Sequence, residues 1–150
     1  MSSDADPVTT RPAGLLRRLL AAVYDALILL ALWMLATALW LLASRGAAPP
    51  AGYLPFQGYL LAVAMLFFCG FWSGHGRTLG MQSWRLRVVD AASARNISPS
   101  QSLVRFVAAL LAWAPAGLGV FWMLVDRDGL TVQDRLSGTR VVVEPRRGKD

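Results

Sequence analysis

LVRFVAALLAWAPAGLGVFWMLV, residues 103–125, decides how this chain is threaded. The stretch is apolar enough to enter a bilayer and carries Arg105 near its start. Its interior reads Trp113, Ala114, Pro115, Ala116, Gly117, Leu118, Gly119, a run that breaks or sharply bends a helix because proline lacks an amide donor and clashes with the preceding turn. If the segment crosses once, eight basic residues fall on the side of the N-terminus and seven on the other. Such an even split opposes the gathering of Lys and Arg on one face of a membrane. If the chain turns back at the break, Arg45 alone lies on the far side. We therefore expect a broken or re-entrant segment, with three crossings as the alternative. Irregular backbone at that depth must pack on protein or line water.

Two uninterrupted apolar runs precede it. From Ala26 to Ala43 only Thr37 is polar, and these eighteen residues span about 27 Å as a helix, close to the thickness of a bilayer core. The helix is expected to begin near Leu15. A cleavable signal peptide is the competing reading, since Arg11, Arg17 and Arg18 resemble its charged segment. The run is too long for that and holds an acid near its start, which favours a retained helix. Arg45–Gly52 (RGAAPPAG) ends it, and a second run follows from Tyr53 to Trp72, with aromatic residues at both ends as interfacial anchors. Gly70 and Gly74 form either a close-approach pair for another helix or a glycine-rich helix exit.

Composition agrees with a membrane protein. Only 16% of the 150 residues are charged, against about 25% in soluble domains, and 55% are hydrophobic. The net charge of +6 comes almost wholly from arginines that are not interleaved with aromatic residues, so no nucleic-acid surface is expected. Cys69, alone, makes neither a disulfide nor a zinc site, and His75, also alone, supports no metal cluster or Ser-His-Asp set. No enzyme, cofactor or metal is expected.

Outside the apolar runs, Trp84, Leu86 and Val88 alternate with Arg85 and Arg87, the period of a half-buried strand. Thr139–Glu144 (TRVVVE) is similarly strand-like, and residues 84–90 are expected to pair with 139–144 in a small cytoplasmic β element. Ser98, Pro99 and Gln101 read as the capped start of a helix. The fold class is thus an all-α membrane protein with two full transmembrane helices, a third broken or re-entrant segment and that small sheet. Residues 1–12 are expected to be a disordered cytoplasmic tail, 13–145 one membrane domain, and 146–150 a basic tail.

One acid stands inside the first apolar run. Asp25 costs roughly 2.5–3.5 kcal/mol to insert as a charge, so it needs a partner, water or a task. It follows Arg18 by seven positions, about 700° of helix rotation, which puts both on one stripe. Direct contact requires the arginine to reach along the helix, and pairing with Arg105 or with Arg18 of a second copy is equally open. Arg18, Asp25, Arg105 and Asp134 are the candidates for ion binding or, alternatively, for a structural ion pair that locks helices together; Asp134, outside the apolar runs, reads by itself as a turn or cap residue. Gly76 and Gly80 either offer amides to an anion or shape a tight loop.

The blocks LLRRLLAAVYD (15–25), GRTLG (76–80) followed by RLRVVD (85–90), and DRLSGTRVVV (134–143) resemble, in that order, the RDD family of small bacterial membrane proteins, named for one arginine and two aspartates. The resemblance spans about Gly14 to Val143. It identifies Arg18, or the adjacent Arg17, as the arginine, Asp25 and Asp134 as the aspartates, and Gly76, Thr78 and Gly80 as the loop motif. Met81 stands where many relatives carry lysine, so no role of that lysine transfers. The resemblance implies a multi-pass protein of the bacterial cytoplasmic (inner) membrane with a cytoplasmic N-terminus, and sodium or proton exchange for some members.

Two functions follow as expectations. The first is a proton or small-cation (Na+/H+) transport subunit using an intramembrane Arg18/Asp25 pair. Its alternative is a non-transporting scaffold or accessory module that binds a partner protein or anionic lipid. Two helices and a broken third cannot easily enclose a hydrated path, so besides the lipid bilayer the expected partners are further copies of the chain or another membrane protein.

Overall fold

The computed structural model describes residues 11–114 and 117–144. Among these residues two helices are long and apolar enough to cross a membrane: α1 (Leu15–Ala43) and α2 (Leu54–His75). At 1.5 Å per residue they reach about 43 and 33 Å. α1 starts where the apolar pattern begins and ends at Ser44, after which Arg45 and Gly46 take positive φ and turn the chain toward the proline pair. The two helices form an antiparallel hairpin. Trp40 packs edge-on against Phe56 at 5.4 Å, Tyr59 Oη donates to Ala36 O at 3.2 Å, and Trp33 Nε1 donates to Leu60 O at 2.9 Å. Little of this hairpin is covered by the rest of the chain: only 6% and 11% of the two apolar windows are buried. Residues such as Leu16, Leu27, Leu42 and Leu66 face outward, as lipid contact requires.

Beyond α2 comes the short α3 (Leu79–Ser83), then strand β1 (Leu86–Asp90) and α4 (Pro99–Trp113). The capped start expected at Ser98 forms: Ser98 Oγ accepts from Gln101 N at 3.2 Å while Ser98 N donates to Gln101 Oε1 at 3.0 Å. The third apolar segment is divided. α4 is followed by α5 (Leu118–Phe121) and a 3-10 turn (Trp122–Leu124), whose direction departs from that of α4 by 106°. The expected break at Pro115 lies outside the described residues. Just after it, a Cβ on Gly119 would sit 2.5 Å from Ala112 Cβ, so glycine is what lets α5 press onto α4.

The chain ends in α6 (Val132–Ser137) and β2 (Thr139–Val143). β1 and β2 pair antiparallel, from Leu86 opposite Val143 to Asp90 opposite Thr139. Both strands are shorter than the expected 84–90 and 139–144. Trp84 closes α3 and Arg85 has φ +55°, which no strand residue adopts, although Glu144 N still donates to Arg85 O at 2.8 Å. On the other edge of β2, Pro12 forms a bridge with Val142, and Ala13 N donates to Val141 O at 3.1 Å. Of the tail expected over residues 1–12, the described part, Arg11 and Pro12, thus runs along β2. Residues 1–10 and the expected basic tail at 146–150 lie outside the described residues. The segments before α1, after α2 and after α5 therefore meet in one sheet, over a core of Trp72, Met81, Leu86, Val88, Phe106 and Val141.

Candidate functional site

Two buried carboxylates organise the site. Asp134, fully buried, is the third residue of α6. Thr131 and Asp134 form a reciprocal cap: Thr131 Oγ1 accepts from Asp134 N at 3.3 Å, and Thr131 N donates to Asp134 Oδ2 at 3.2 Å. The same carboxylate receives two guanidinium groups, Arg18 Nη1 on Oδ2 at 2.6 Å and Arg105 Nη1 on Oδ1 at 2.5 Å. Arg105 also donates to Thr139 Oγ1 at 2.7 Å and lies over the Trp72 ring, 5.2 Å from its centroid. Burial pushes the Asp134 carboxyl up, but the charges of Arg105 and Arg18 outweigh it and hold the group below the ordinary carboxylate range. One acid thereby ties α1, α4, α6 and β2 together.

Asp25, 4% exposed, lies deeper along α1. Its Oδ1 accepts from Gly80 N at 2.8 Å, and its Oδ2 accepts from the Thr78 hydroxyl. The Gly-x-Thr-x-Gly loop exists to make that contact. Gly76 ends α2 in the left-handed region at φ +69°, where a Cβ would also meet Arg87 at 3.0 Å. Thr78 caps α3 by accepting from Met81 N at 3.3 Å and spends its proton on Asp25. A Cβ on Gly80 would stand 2.3 Å from Ala21 O and 2.8 Å from the Asp25 carboxylate. The amide of Gly80, one of the two glycines considered for an external anion, is thus taken by the chain's own carboxylate. Met81 is packed in the core.

The Arg18/Asp25 pair expected from their shared stripe is not formed; this is a correction to that reading. Side chains on a helix lean toward its N-terminus, so Arg18 reaches back, with Nε on Ala13 O at 3.1 Å, and away from a residue two turns ahead. Arg105 does not meet Asp25 either. Both arginines converge on Asp134, whose local sequence marks a turn or cap residue and which stands with them among the ion-pair candidates. The Thr-x-x-Asp spacing of residues 131–134 is the local signal for that cap. No local signal exists for its two arginine partners. Among the described residues no cationic side chain forms an ion pair with Asp25, and no cluster of three or more His, Cys, Asp or Glu could hold a metal ion.

α1 and α4 each pack against α2. Between them lies a cleft of about 670 Å³, with Leu29, Trp33, Phe68 and Leu110 on its apolar walls and Arg18, Asp25, Arg105 and Gln133 among its polar residues.

The model of the RDD family matches residues 12–138. A similar curated relative is the uncharacterized protein RP437 of Rickettsia prowazekii (strain Madrid E), 29% identical over 94 residues that cover 60% of this chain and 52% of that protein. This chain therefore spans about half the length of that relative. No solved structure matches. With the family match extending from the residue that bridges β2 to the glycine that closes α6, the chain belongs to the RDD family of membrane proteins.

Proposed function

We propose that this chain is a non-enzymatic subunit that exchanges protons or small cations such as Na+ across the membrane, with Asp25 as the exchanging group. The observation that carries the reading is the difference between the two acids. Asp134 is neutralised by two guanidinium groups, whereas among the described residues Asp25 is held by a hydroxyl and an amide and lines the cleft. A carboxylate buried among neutral donors carries a charge that a proton or a monovalent cation compensates. Thr78 and Gly80 orient its oxygens, and the Arg18–Asp134–Arg105 cluster holds the helices around it.

The orientation belongs to the same proposal. The N-terminal segment, β1 and β2 share one sheet, which supports a third segment that re-enters and returns to the side it left. That threading leaves Arg45 alone of the fifteen basic residues on the opposite side, so the sheet and the N-terminus face the cytoplasm of a bacterial inner membrane. The sparse coverage of α1 and α2 supports a homo-oligomer, or a membrane partner, that completes the path.

Reconstitution in liposomes tests it. Wild type is expected to carry proton or sodium flux under an imposed gradient, and Asp25→Asn to abolish it while remaining folded. Wild-type liposomes silent to both gradients overturn the reading, as does an Asp25→Asn variant that transports at the wild-type rate.

A further inference from the structure

Five arginines gather around one carboxylate at the end of the sheet where β1 begins and β2 finishes. Glu144 takes Arg77 Nη1 on Oε2 at 2.6 Å and Arg87 Nη1 on Oε1 at 3.4 Å. The backbone brings two more arginines to the same place: Val143 N donates to Arg11 O at 3.0 Å, and Glu144 N donates to Arg85 O at 2.8 Å. Arg17, in the first turn of α1, lines with Arg11 and Glu144 a surface depression of about 620 Å³. Arg11, Arg17 and Arg85 are exposed, and among the described residues none of their guanidinium groups pairs with an acid. Five positive charges thus surround one negative charge. Residues 1–10 and 145–150 contain three acids (Asp4, Asp6, Asp150) and three basic side chains (Arg146, Arg147, Lys149), which add no net charge to that excess.

The level of the patch along α1 selects its partner. α3 abuts α1 at Ala21 and Asp25, through Gly80, and the residues at the two ends of α3, Leu79 and Trp84, are 41% and 39% exposed. Arg17 lies one turn nearer the start of α1 than Ala21, about 6 Å along the axis, and is flanked by the exposed Leu16 and Leu20. Outward-facing aliphatic and aromatic side chains beside arginines mark the boundary between hydrocarbon and headgroups. At that boundary the anion within reach is the phosphodiester of a lipid. A zwitterionic headgroup carries an ammonium that the arginines repel, whereas an anionic one does not.

We propose that this patch is a docking surface for the anionic phospholipid headgroups of the leaflet on which the sheet lies. Arg11, Arg17 and Arg85 hold the phosphates, and Arg77 and Arg87, fixed by Glu144, supply a constant positive field. The planar guanidinium fork suits phosphate because it places two donors on one headgroup. The surface is separate from ion movement at Asp25, since it is read by lipid binding and not by flux.

Native mass spectrometry of the detergent-purified protein, titrated with phosphatidylglycerol, phosphatidylcholine and inorganic phosphate at fixed ionic strength, tests the surface. Wild type is expected to bind phosphatidylglycerol in preference to the other two. An arginine near an anionic surface contributes roughly a fivefold gain in affinity, so Arg17→Gln/Arg85→Gln should weaken phosphatidylglycerol binding about thirtyfold with an unchanged thermal midpoint. Either substitution alone, with its roughly fivefold loss, serves if the double variant does not fold. Arg45→Gln/Arg95→Gln removes the same charge elsewhere: Arg45 follows the far end of α1, and Arg95 O accepts from Asp90 N at 2.9 Å, at the opposite end of β1. That end is about 13 Å from Leu86, beyond the screening length of about 8 Å at physiological salt, so this variant should keep its affinity within about twofold. The surface is overturned if wild type does not bind phosphatidylglycerol, if phosphatidylcholine or inorganic phosphate binds as well, if Arg17→Gln/Arg85→Gln binds as tightly as wild type, or if Arg45→Gln/Arg95→Gln loses as much.

Discussion

Gly80 N donates to Asp25 Oδ1 at 2.8 Å from a position where a methyl group would stand 2.3 Å from Ala21 O. The contact that binds α3 to α1 therefore requires the absence of a side chain. Gly80→Ala is expected to push α3 off α1 and to destabilise the fold toward the upper end of the about 1–3 kcal/mol typical of overpacking. Thermal unfolding in detergent reads it, and an unchanged midpoint contradicts the close approach.

Asp134 is shared by two arginines, so removing its charge strands both. Asp134→Asn is expected to cost about 3–5 kcal/mol, the range for breaking a buried ion pair from one side. Arg18→Lys keeps a charge but loses the planar donor set that reaches both Asp134 and Ala13 O, and should cost about 1 kcal/mol. Equal midpoints for Asp134→Asn and wild type would show that the cluster contributes nothing to stability.

Acid should weaken the fold through two carboxyls outside the spans. Burial raises Asp134, but Arg105 and Arg18 bring it below its ordinary value, while Gln101 and then Ser93 hold Asp90 at about 2. A group depressed in the folded state stabilises above its unfolded value, near 3.9, and loses that contribution as pH falls through the folded one. The unfolding midpoint should therefore drop between pH about 4 and about 2. Asp90→Asn should flatten part of that fall; a fall of the same depth in that variant excludes Asp90.

The threading has a direct readout. In a Cys69→Ala background, Ala48→Cys should react with an impermeant maleimide added outside intact cells, whereas Ala92→Cys and Asp128→Cys should react only after permeabilisation. Labelling of Asp128→Cys from outside would mean that the third segment crosses.

Much of the architecture was legible because it rests on local rules. Unbroken apolar runs marked α1 and α2, Ser98 and Gln101 marked the start of α4, and alternation around Val88 marked a strand. The family blocks pointed to Arg18, Asp25, Thr78 and Asp134. Partner choice was not legible. Equal angular position made Arg18 and Asp25 look like a pair, but the lean of helical side chains sends Arg18 the other way. Its true partner is 116 residues on, and no spacing rule reaches that far. The positive φ at Arg85 that shortens β1 likewise leaves no mark in residue type, since arginine is not among the residues that favour it.

The span between Arg18 and Asp134 also sets an order of events during synthesis. A ribosome adding about 5–20 residues per second delivers Asp134 roughly 6–23 s after Arg18. Arg18 waits without its acid through all of that interval and Arg105, 29 residues before Asp134, through the last quarter of it, when α1 and α2 have been made and β2 does not yet exist to close the sheet. The nascent protein is thus a hairpin with its charged end open to water until α6, whose acid is made 116 residues after Arg18, locks the start of α1.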